Sequence, residues 1–551
     1  MDITELLQRA ENTPSEELES ETVEFKAFRD ERALHNSKEL AEEISAIANF
    51  EGGVIVVGVK DSSDVPAGDW TAQMVGIPAV DEIATQERLQ GKLRPRINLR
   101  VSNVDFEGTN YVIIEVPHRS DTLVSTASGK TCIREGRSSR PMEPSELENA
   151  VKSLTSYDWS TEPVDLDPAD AINQSALDEA RDDFCRRRAM AEQLSDSAFL
   201  EAIGATKNGT LIKSGVLFLG TDDAIRRNLG DFEYRFSWKK NTGQLVTNDV
   251  WSECLWHTVK RVKHHFENCN SEGEFEYDDK KFTVPLLDPI AFHEAFLNAL
   301  VHRDYTCEGM VSVTFADRQI LITSPGNFFG GVTAENIARH EPRHRNKALA
   351  RMLMTYHLVD RAGMGVLRMG LKSLMYGRGF PRFREDNECV EVTMQGEYLR
   401  PAITVLAHEN EEIYGIPELL ILNSVYESGF APVNALIGQL SNLVDDPWGK
   451  IQQAVALIDG VELCGTKDGV FVRVTPDRMK FFKCSKLFRV TSNSKKHVNL
   501  FTFLMQHGSA SSTDVHPILG AAHQSYTSRF LADAKYTKRN GHGASSRWSL
   551  V

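Results

Sequence analysis

The spacing of hydrophobic and polar positions divides the 551 residues into blocks with different apolar periods. In residues 37–50 (SKELAEEISAIANF) the apolar positions recur at helical spacing behind a Ser N-cap, with Glu39 suited to the positive end of the helix dipole. Gly52-Gly53 closes that segment, and residues 54–59 (VIVVGV) follow as a near-continuous β-branched run, which predicts a buried strand. INLRVSNVDF and YVIIEVP flank Glu107-Gly108-Thr109-Asn110 and predict a hairpin; GKTCIREG predicts a further strand and EPSELENAVKSL a closing helix. Residues 15–156 therefore read as one compact α/β domain.

A Pro/Asp-rich stretch, residues 160–168, opens a connecting region that extends over 157–285 and holds a helical DEARDDFCRRRAMAEQL and an apolar run, SGVLFLG, read as a strand. Residues 286–400 form a second α/β block. Its first element, DPIAFHEAFLNALVHRDY, is apolar almost all round and predicts a buried helix. Two winged-helix units follow. In 401–476 the wing strands are VELCG and GVFVRV. In 477–551 three helical patterns (KKHVNLFTFLMQ, SSTDVHPIL, HQSYTSRFLADA) precede a basic hairpin with Lys538, Arg539, Gly541, Gly543 and Arg547. The expected fold class is a multidomain α+β chain.

Composition narrows the class. Charged residues make up 25% and hydrophobic ones 41%, ordinary for a globular protein. No stretch approaches the roughly 20 apolar residues that span a bilayer, so no membrane role is expected. The first residues are acidic and polar, unlike a secretory leader. Eight cysteines lie apart with no C-x-x-C pair, and a reduced, cytoplasmic chain is expected. The net charge is −16, yet residues 476–551 hold 12 Lys/Arg against three Asp/Glu. That tail, at +9 on a body of −25, is the part suited to a polyanion.

Carboxylates gather near the front. Glu19 and Glu24 are five residues apart, so they converge only if the chain bends between them; Asp61 follows the buried strand. Three converging carboxylates can hold Mg2+ or Mn2+, which activates water and neutralises a phosphodiester, and Lys26 is then placed to contact phosphate. Spacing alone equally allows a solvated acidic face. ESETVEFK, ISAIANFEGGVIVVGVKD, YVIIEVPHRS and TCIREGRSSRPMEPSELENAV occur in the order of the AlbA-type Schlafen domain, which this region resembles. The resemblance implies a metal site at Glu19, Glu24 and Asp61, with Asp64 as the substitute for the third, and a head that cleaves or binds nucleic acid. Arg134 and Arg137 match a strand end in that family; they suit phosphate or a salt bridge to Glu135 or Glu143.

In the middle block Glu294, Asn298 and His302 recur every four residues on one helix face. They fit an internal hydrogen-bond network or a metal–nucleotide complex. HEAFLNALVHRDY, VSVTFADRQILITSPGNFFGGVT, HRNKALARML and DRAGMGVLRM resemble the RecG-like C-terminal ATP-binding domain of the GHKL class. The resemblance implies an α/β sandwich in which Glu294 polarises the attacking water and Asn298 binds Mg2+. Gly326 matches the first glycine motif, Gly363 and Gly365 the second, and their N–H groups are suited to phosphates. Ser324-Pro325-Gly326 stands where most of that class has an Asp for adenine, so ATP is the implied ligand while adenine selectivity is not implied. His340 and His344 flank Pro342, which argues against a helical metal pair.

In the last winged helix, Gln524, Ser525, Thr527, Ser528 and Arg529 lie on the helix that would enter a groove, with Lys538 and Arg539 on the backbone. Together these features predict an ATP-regulated nucleic-acid-binding protein with a metal-dependent endonuclease head acting on RNA or DNA. Domain company adds an anti-phage defence role and a homo-oligomer. The alternatives are a DNA-binding regulator with a non-catalytic head and a nucleotide-sensing scaffold.

Overall fold

The computed structural model describes residues 3–66, 68–119, 122–154, 157–190, 192–240, 242–277, 279–316, 318–358, 363–386, 388–396, 400–484, 494–541 and 546–551. Gly543 of the expected tail hairpin lies outside them. The chain divides into two units, Met1–Trp159 with Phe329–Gly331, and Ser160–Phe328 with Val332–Val551.

The first unit is built on a four-stranded sheet in the order Val23–Lys26, Gly53–Val57, Thr109–Val116, Arg100–Phe106. The first pair is parallel, with Val23 opposite Val54, and the others are antiparallel. Both faces of this sheet are covered. Leu40, Ile44 and Ile47 of helix Glu39–Asn49 pack on Ile55, Val57, Val112 and Ile114; Leu6, Leu7 and Ala10 of helix Ile3–Ala10 pack with Val54, Val56 and Ile113. Double coverage explains why 54–59 reads as an unbroken apolar run rather than an alternation. Each such aliphatic side chain contributes about 1.5–3 kcal/mol on burial. The helix Ile3–Ala10 precedes the expected domain start at residue 15, although Ile3, Leu6, Leu7 and Ala10 recur at helical spacing and mark one apolar face. Ser37 caps the following helix as expected, accepting from Leu40 N at 3.1 Å.

The second unit holds a six-stranded sheet in the order Leu245–Trp251, Tyr234–Lys239, Val311–Ala316, Gln319–Pro325, Cys389–Gln395, Arg382–Glu385. Tyr234–Lys239 runs parallel to Val311–Ala316, and the remaining pairs are antiparallel. This corrects the boundary at 285/286, because the connecting region supplies two strands of the same sheet. Trp238 stacks on Phe315 with centroids 4.1 Å apart, and Phe266 on Phe292 at 3.9 Å, joining both segments in one core. SGVLFLG is also corrected: Lys213–Leu219 is a helix, buried from Ser214 to Leu219. A short run buried on every side has no polar face to reveal its period.

Two three-stranded sheets with their helices form the winged-helix pair: Phe430–Pro432, Gly469–Val474, Val461–Thr466, then Ser509–Ala510, Arg547–Leu550, Thr537–Asn540. Their apolar residues belong to one cluster that runs from Leu374 to Tyr536, with Trp448 edge-on to Phe501 at 5.2 Å. The acidic first wing unit is thus a packing partner of the second. No described helix is long and apolar enough to cross a membrane.

Candidate functional site

In the head, Glu19 follows the short helix Ser15–Leu18, and a turn closed by Ser20 N to Val23 O (3.0 Å) supplies the bend required between Glu19 and Glu24. Glu24, in strand Val23–Lys26, is buried. Its carboxylate takes Lys26 Nζ at 2.8 Å on one oxygen and Arg134 Nη1 at 2.8 Å on the other. Arg134 Nη1 also reaches Glu43 at 2.8 Å, and Nη2 donates to Ser20 O at 2.7 Å. The Ser139 hydroxyl donates to Glu43. Two acids and two bases therefore neutralise one another inside the domain.

Several expectations change here. The Arg134 side chain is 0% exposed, so it is not a phosphate contact, and its partners are Glu24 and Glu43 rather than Glu135 or Glu143. Lys26 is committed to Glu24 and to Glu39 at 3.2 Å, and these carboxylates hold its pKa up against the effect of burial. Arg137 remains exposed, 2.9 Å from Glu16. Glu43 was not singled out by sequence. Its signal was present, since it lies three residues after Leu40 and four before Ile47 on an apolar helix face.

Glu19 is half-buried, and its pKa is raised to about 7 by burial first and by the charge of Glu24 next; Asp61 adds to the rise, while the Phe25 N–H and Lys26 oppose it. Burial and Glu24 likewise raise Glu43. Asp61 is exposed and held low by Ser63, whose N–H and hydroxyl donate at 2.8 and 2.7 Å. Glu19, Glu24 and Asp61 thus share an electrostatic neighbourhood, but their ligand atoms do not all lie within 4.8 Å of one another. Among the described residues only Asp386, Cys389 and Glu391 meet that condition. A cation would fit Glu19 and Asp61 best, since both Glu24 oxygens already accept from cations.

In the second unit, helix Pro289–His302 is capped by Asp288, which accepts from Ile290 N and Ala291 N at 2.9 Å each. Glu294 pairs with Arg368 Nη1 at 3.0 Å, a residue of helix Gly365–Met375. The three sequence-picked glycines stand where a side chain has no room. A Cβ on Gly365 would lie 2.2 Å from Glu294 Oε2 and 3.6 Å from Asn298 Nδ2. One on Gly326 (φ +96°) would meet Asp304 Cβ at 2.4 Å, and one on Gly363 (φ +65°) Pro342 at 2.4 Å. The structure thus brings Gly365 to Glu294 and Asn298, the approach a phosphate-binding backbone needs. His302 is half-buried and stacks on the His344 ring, and burial followed by His344 pushes its pKa down to about 3, so it is a neutral packing group. Ser324 donates to Ala299 O at 2.7 Å, while Asp304, paired to Arg345 at 2.6 Å, is the carboxylate beside Gly326.

In the tail, Gln524 and Arg529 on helix Gln524–Asp533 are exposed, as are Lys538 and Arg539 on the wing. Thr527 is corrected: it is 0% exposed and bonds His516 Nδ1 at 2.8 Å, so it faces the core.

Comparison with known proteins follows these divisions. Residues 19–143 match the family "Schlafen, AlbA_2". Residues 309–394 match "Putative ATP-dependent DNA helicase recG C-terminal". The chain carries these two domains, which are of nucleic-acid-associated and ATP-binding type. Among solved structures, the DIP2311 protein from Corynebacterium diphtheriae is 21% identical over 96% of this chain and 95% of that one, with a TM-score of 0.48. The N-terminal domain of a "Putative ATP-dependent DNA Helicase RecG-related Protein" from Nitrosomonas europaea is 19% identical over 26% of this chain and 93% of that one, with a TM-score of 0.19. Among curated proteins none matches this chain.

Proposed function

We propose that the chain is a nucleotide-regulated nucleic-acid protein whose head is a metal-dependent endonuclease. The observation that supports this most is the state of Glu19, which burial first, then the charge of Glu24 and least that of Asp61, leave holding a proton near neutral pH. Like-charged carboxylates at one place are what a divalent cation relieves. When bound, Mg2+ or Mn2+ would supply an activated water and charge neutralisation for a phosphodiester. Glu19 and Asp61 would hold it, Glu24 would back them, and Lys26 and Arg134 would fix Glu24. In the second unit Glu294 would orient water and Asn298 the nucleotide's Mg2+, with Gly326, Gly363 and Gly365 along the phosphates. Exposed Arg137, Arg529, Lys538 and Arg539 suit phosphate contacts. The domain company also suits a defence role against foreign nucleic acid.

One observation favours a second reading. Glu24 is already neutralised by Lys26 and Arg134, as a non-catalytic binding head would have it. The test is cleavage of labelled tRNA, single-stranded DNA and duplex DNA with Mn2+ or Mg2+, with and without ATP. Glu19→Gln and Asp61→Asn are the informative variants, since neither removes an ion pair of Lys26 or Arg134. Cleavage lost in both, with retained melting temperature and retained binding, upholds the nuclease. Binding without cleavage by the wild type under every condition supports the binding head.

A further inference from the structure

A cavity of about 940 Å3 opens in the second unit, away from Glu294 and its glycines. Its walls are the turn at 377–380, strands Arg382–Glu385 and Cys389–Gln395, and helices Ile416–Val425 and Val433–Leu440 of the first winged-helix unit. The volume is that of a small-ligand site. Three arginines, Arg378, Arg382 and Arg400, line it against one acid, Glu335.

Arg378 is the residue that needs explaining. It is 7% exposed. Its Nη2 donates to Pro285 O, and its guanidinium lies 4.8 Å from the Tyr376 ring centroid. Its Nε is buried without a hydrogen-bond partner, and no carboxylate among the described residues pairs with it. A buried guanidinium without a counter-ion is unfavourable and is normally paired. Burial accordingly lowers its pKa to about 10.

The turn that carries Arg378 is held firmly. Gly377 has φ +76°, and a Cβ there would meet the Arg400 stem at 2.7 Å. A Cβ on Gly370 would lie 2.0 Å from the Phe380 ring, so that ring is seated directly on the helix. Arg400 Nη1 donates to Asn423 O at 3.0 Å, which fixes this second cation beside the turn. Asn423 Oδ1 is itself buried with no donor. A wall with three arginines and one acid calls for an anion.

We propose that this cavity is a second ligand site, taking a phosphate-bearing small molecule of about nucleotide size. Arg378 and Arg400 bind its phosphate, and Arg382 stands at the rim. The site is independent of the reading given to Glu294 and Asn298. A ligand here touches both the ATP-type sheet and the first winged-helix unit, and so favours their packed arrangement.

The experiment is calorimetric titration of the full chain at constant ionic strength, with sodium tripolyphosphate and ADP as separate probes. All measurements are repeated in an Asn298→Ala background, which disables the other nucleotide site. The expected result is tripolyphosphate binding that survives Asn298→Ala and weakens about tenfold in Arg378→Gln, the size of one lost charge-assisted hydrogen bond. Arg382→Ala, an exposed position that leaves the fold intact, weakens it about threefold by loss of a rim charge. ADP binding tighter than tripolyphosphate in the Asn298→Ala background identifies the source as a nucleotide; the reverse identifies an inorganic or sugar polyphosphate. No binding to the wild type overturns the proposal, as does loss of binding in Asn298→Ala with both arginine variants unaffected. An oligonucleotide that displaces tripolyphosphate only when Arg382 is present would reassign the cavity to a nucleic-acid backbone and also overturn it. Should Arg378→Gln melt early, an unchanged affinity in Arg382→Ala is sufficient to overturn it.

Discussion

Glu24 in the head and Glu294 in the second unit are both carboxylates at the centre of a candidate site, and they are neutralised in opposite ways. Glu24 is buried between Lys26 and an Arg134 that is 0% exposed. Glu294 is paired to Arg368, whose side chain is 38% exposed. A buried charge cannot lose its partner without large destabilisation, whereas a partly exposed pair is already screened and is readily exchanged. Glu24 therefore belongs to the scaffold of its site, whereas Glu294 meets its cation from the more exposed side.

The largest effect that would break this contrast is at Arg134. Arg134→Met leaves Glu24 and Glu43 buried with one cation between them and is expected to lower stability by about 3–5 kcal/mol, read by urea unfolding. Arg368→Met should change stability by no more than about 0.5 kcal/mol and leave Mg–nucleotide binding intact or tighter. Equal losses in the two variants would remove the distinction. Next in size, Gly365→Ala forces a methyl against the Glu294 carboxylate. Because the atom met is the end of a flexible side chain, it should cost no more than about 1 kcal/mol, while the displaced carboxylate weakens binding of a fluorescent ATP analogue, an outcome checked by titration beside the melting temperature.

Glu19 gives a comparable, pH-dependent effect. Its folded pKa lies above the ordinary carboxyl value of 4.5, at about 7. Between those two pH values the folded state holds a proton that the unfolded state has released, so stability falls as pH rises through that window. Glu19→Gln should therefore match the wild type below pH 4.5 and be more stable above pH 7, by about 1 kcal/mol after discounting for partial exposure. Thermal melts at pH 4 and pH 8 without metal decide it, and a variant less stable at pH 8 would refute the crowding. The smallest effect is at the wing: Lys538→Ala should lower nucleic-acid affinity a few-fold and reduce the salt slope by about one. An unchanged slope would exclude Lys538 from the interface.

Local pattern revealed much of this architecture, and the exceptions share a cause. The helix over 39–49, the strand after it and the wing strands carry their own period. The membership of Tyr234–Lys239 in the later sheet does not, because its parallel partner Val311–Ala316 is distant in sequence. In the second unit Glu294 and Asn298 stand side by side because their spacing within one helix is local, whereas Gly326, Gly363 and Gly365 stand out only through the resemblance of whole segments. The pairing of Arg134 with Glu24 and Glu43 required three separate elements to meet. A buried arginine and a surface arginine look alike in sequence, which is why sequence leaves Arg134 open between phosphate and a salt bridge.

The shared core of the two winged-helix units also constrains how this part of the chain evolves and breaks. Trp448 and Phe501 meet across what sequence treats as a domain border. A chain cut at that border would strand apolar surface on both halves, so the basic tail is not a module that can be grafted elsewhere. With one apolar cluster between them, the basic tail and the acidic unit are expected to melt in a single transition, and a lesion in the core of either unit reaches the other.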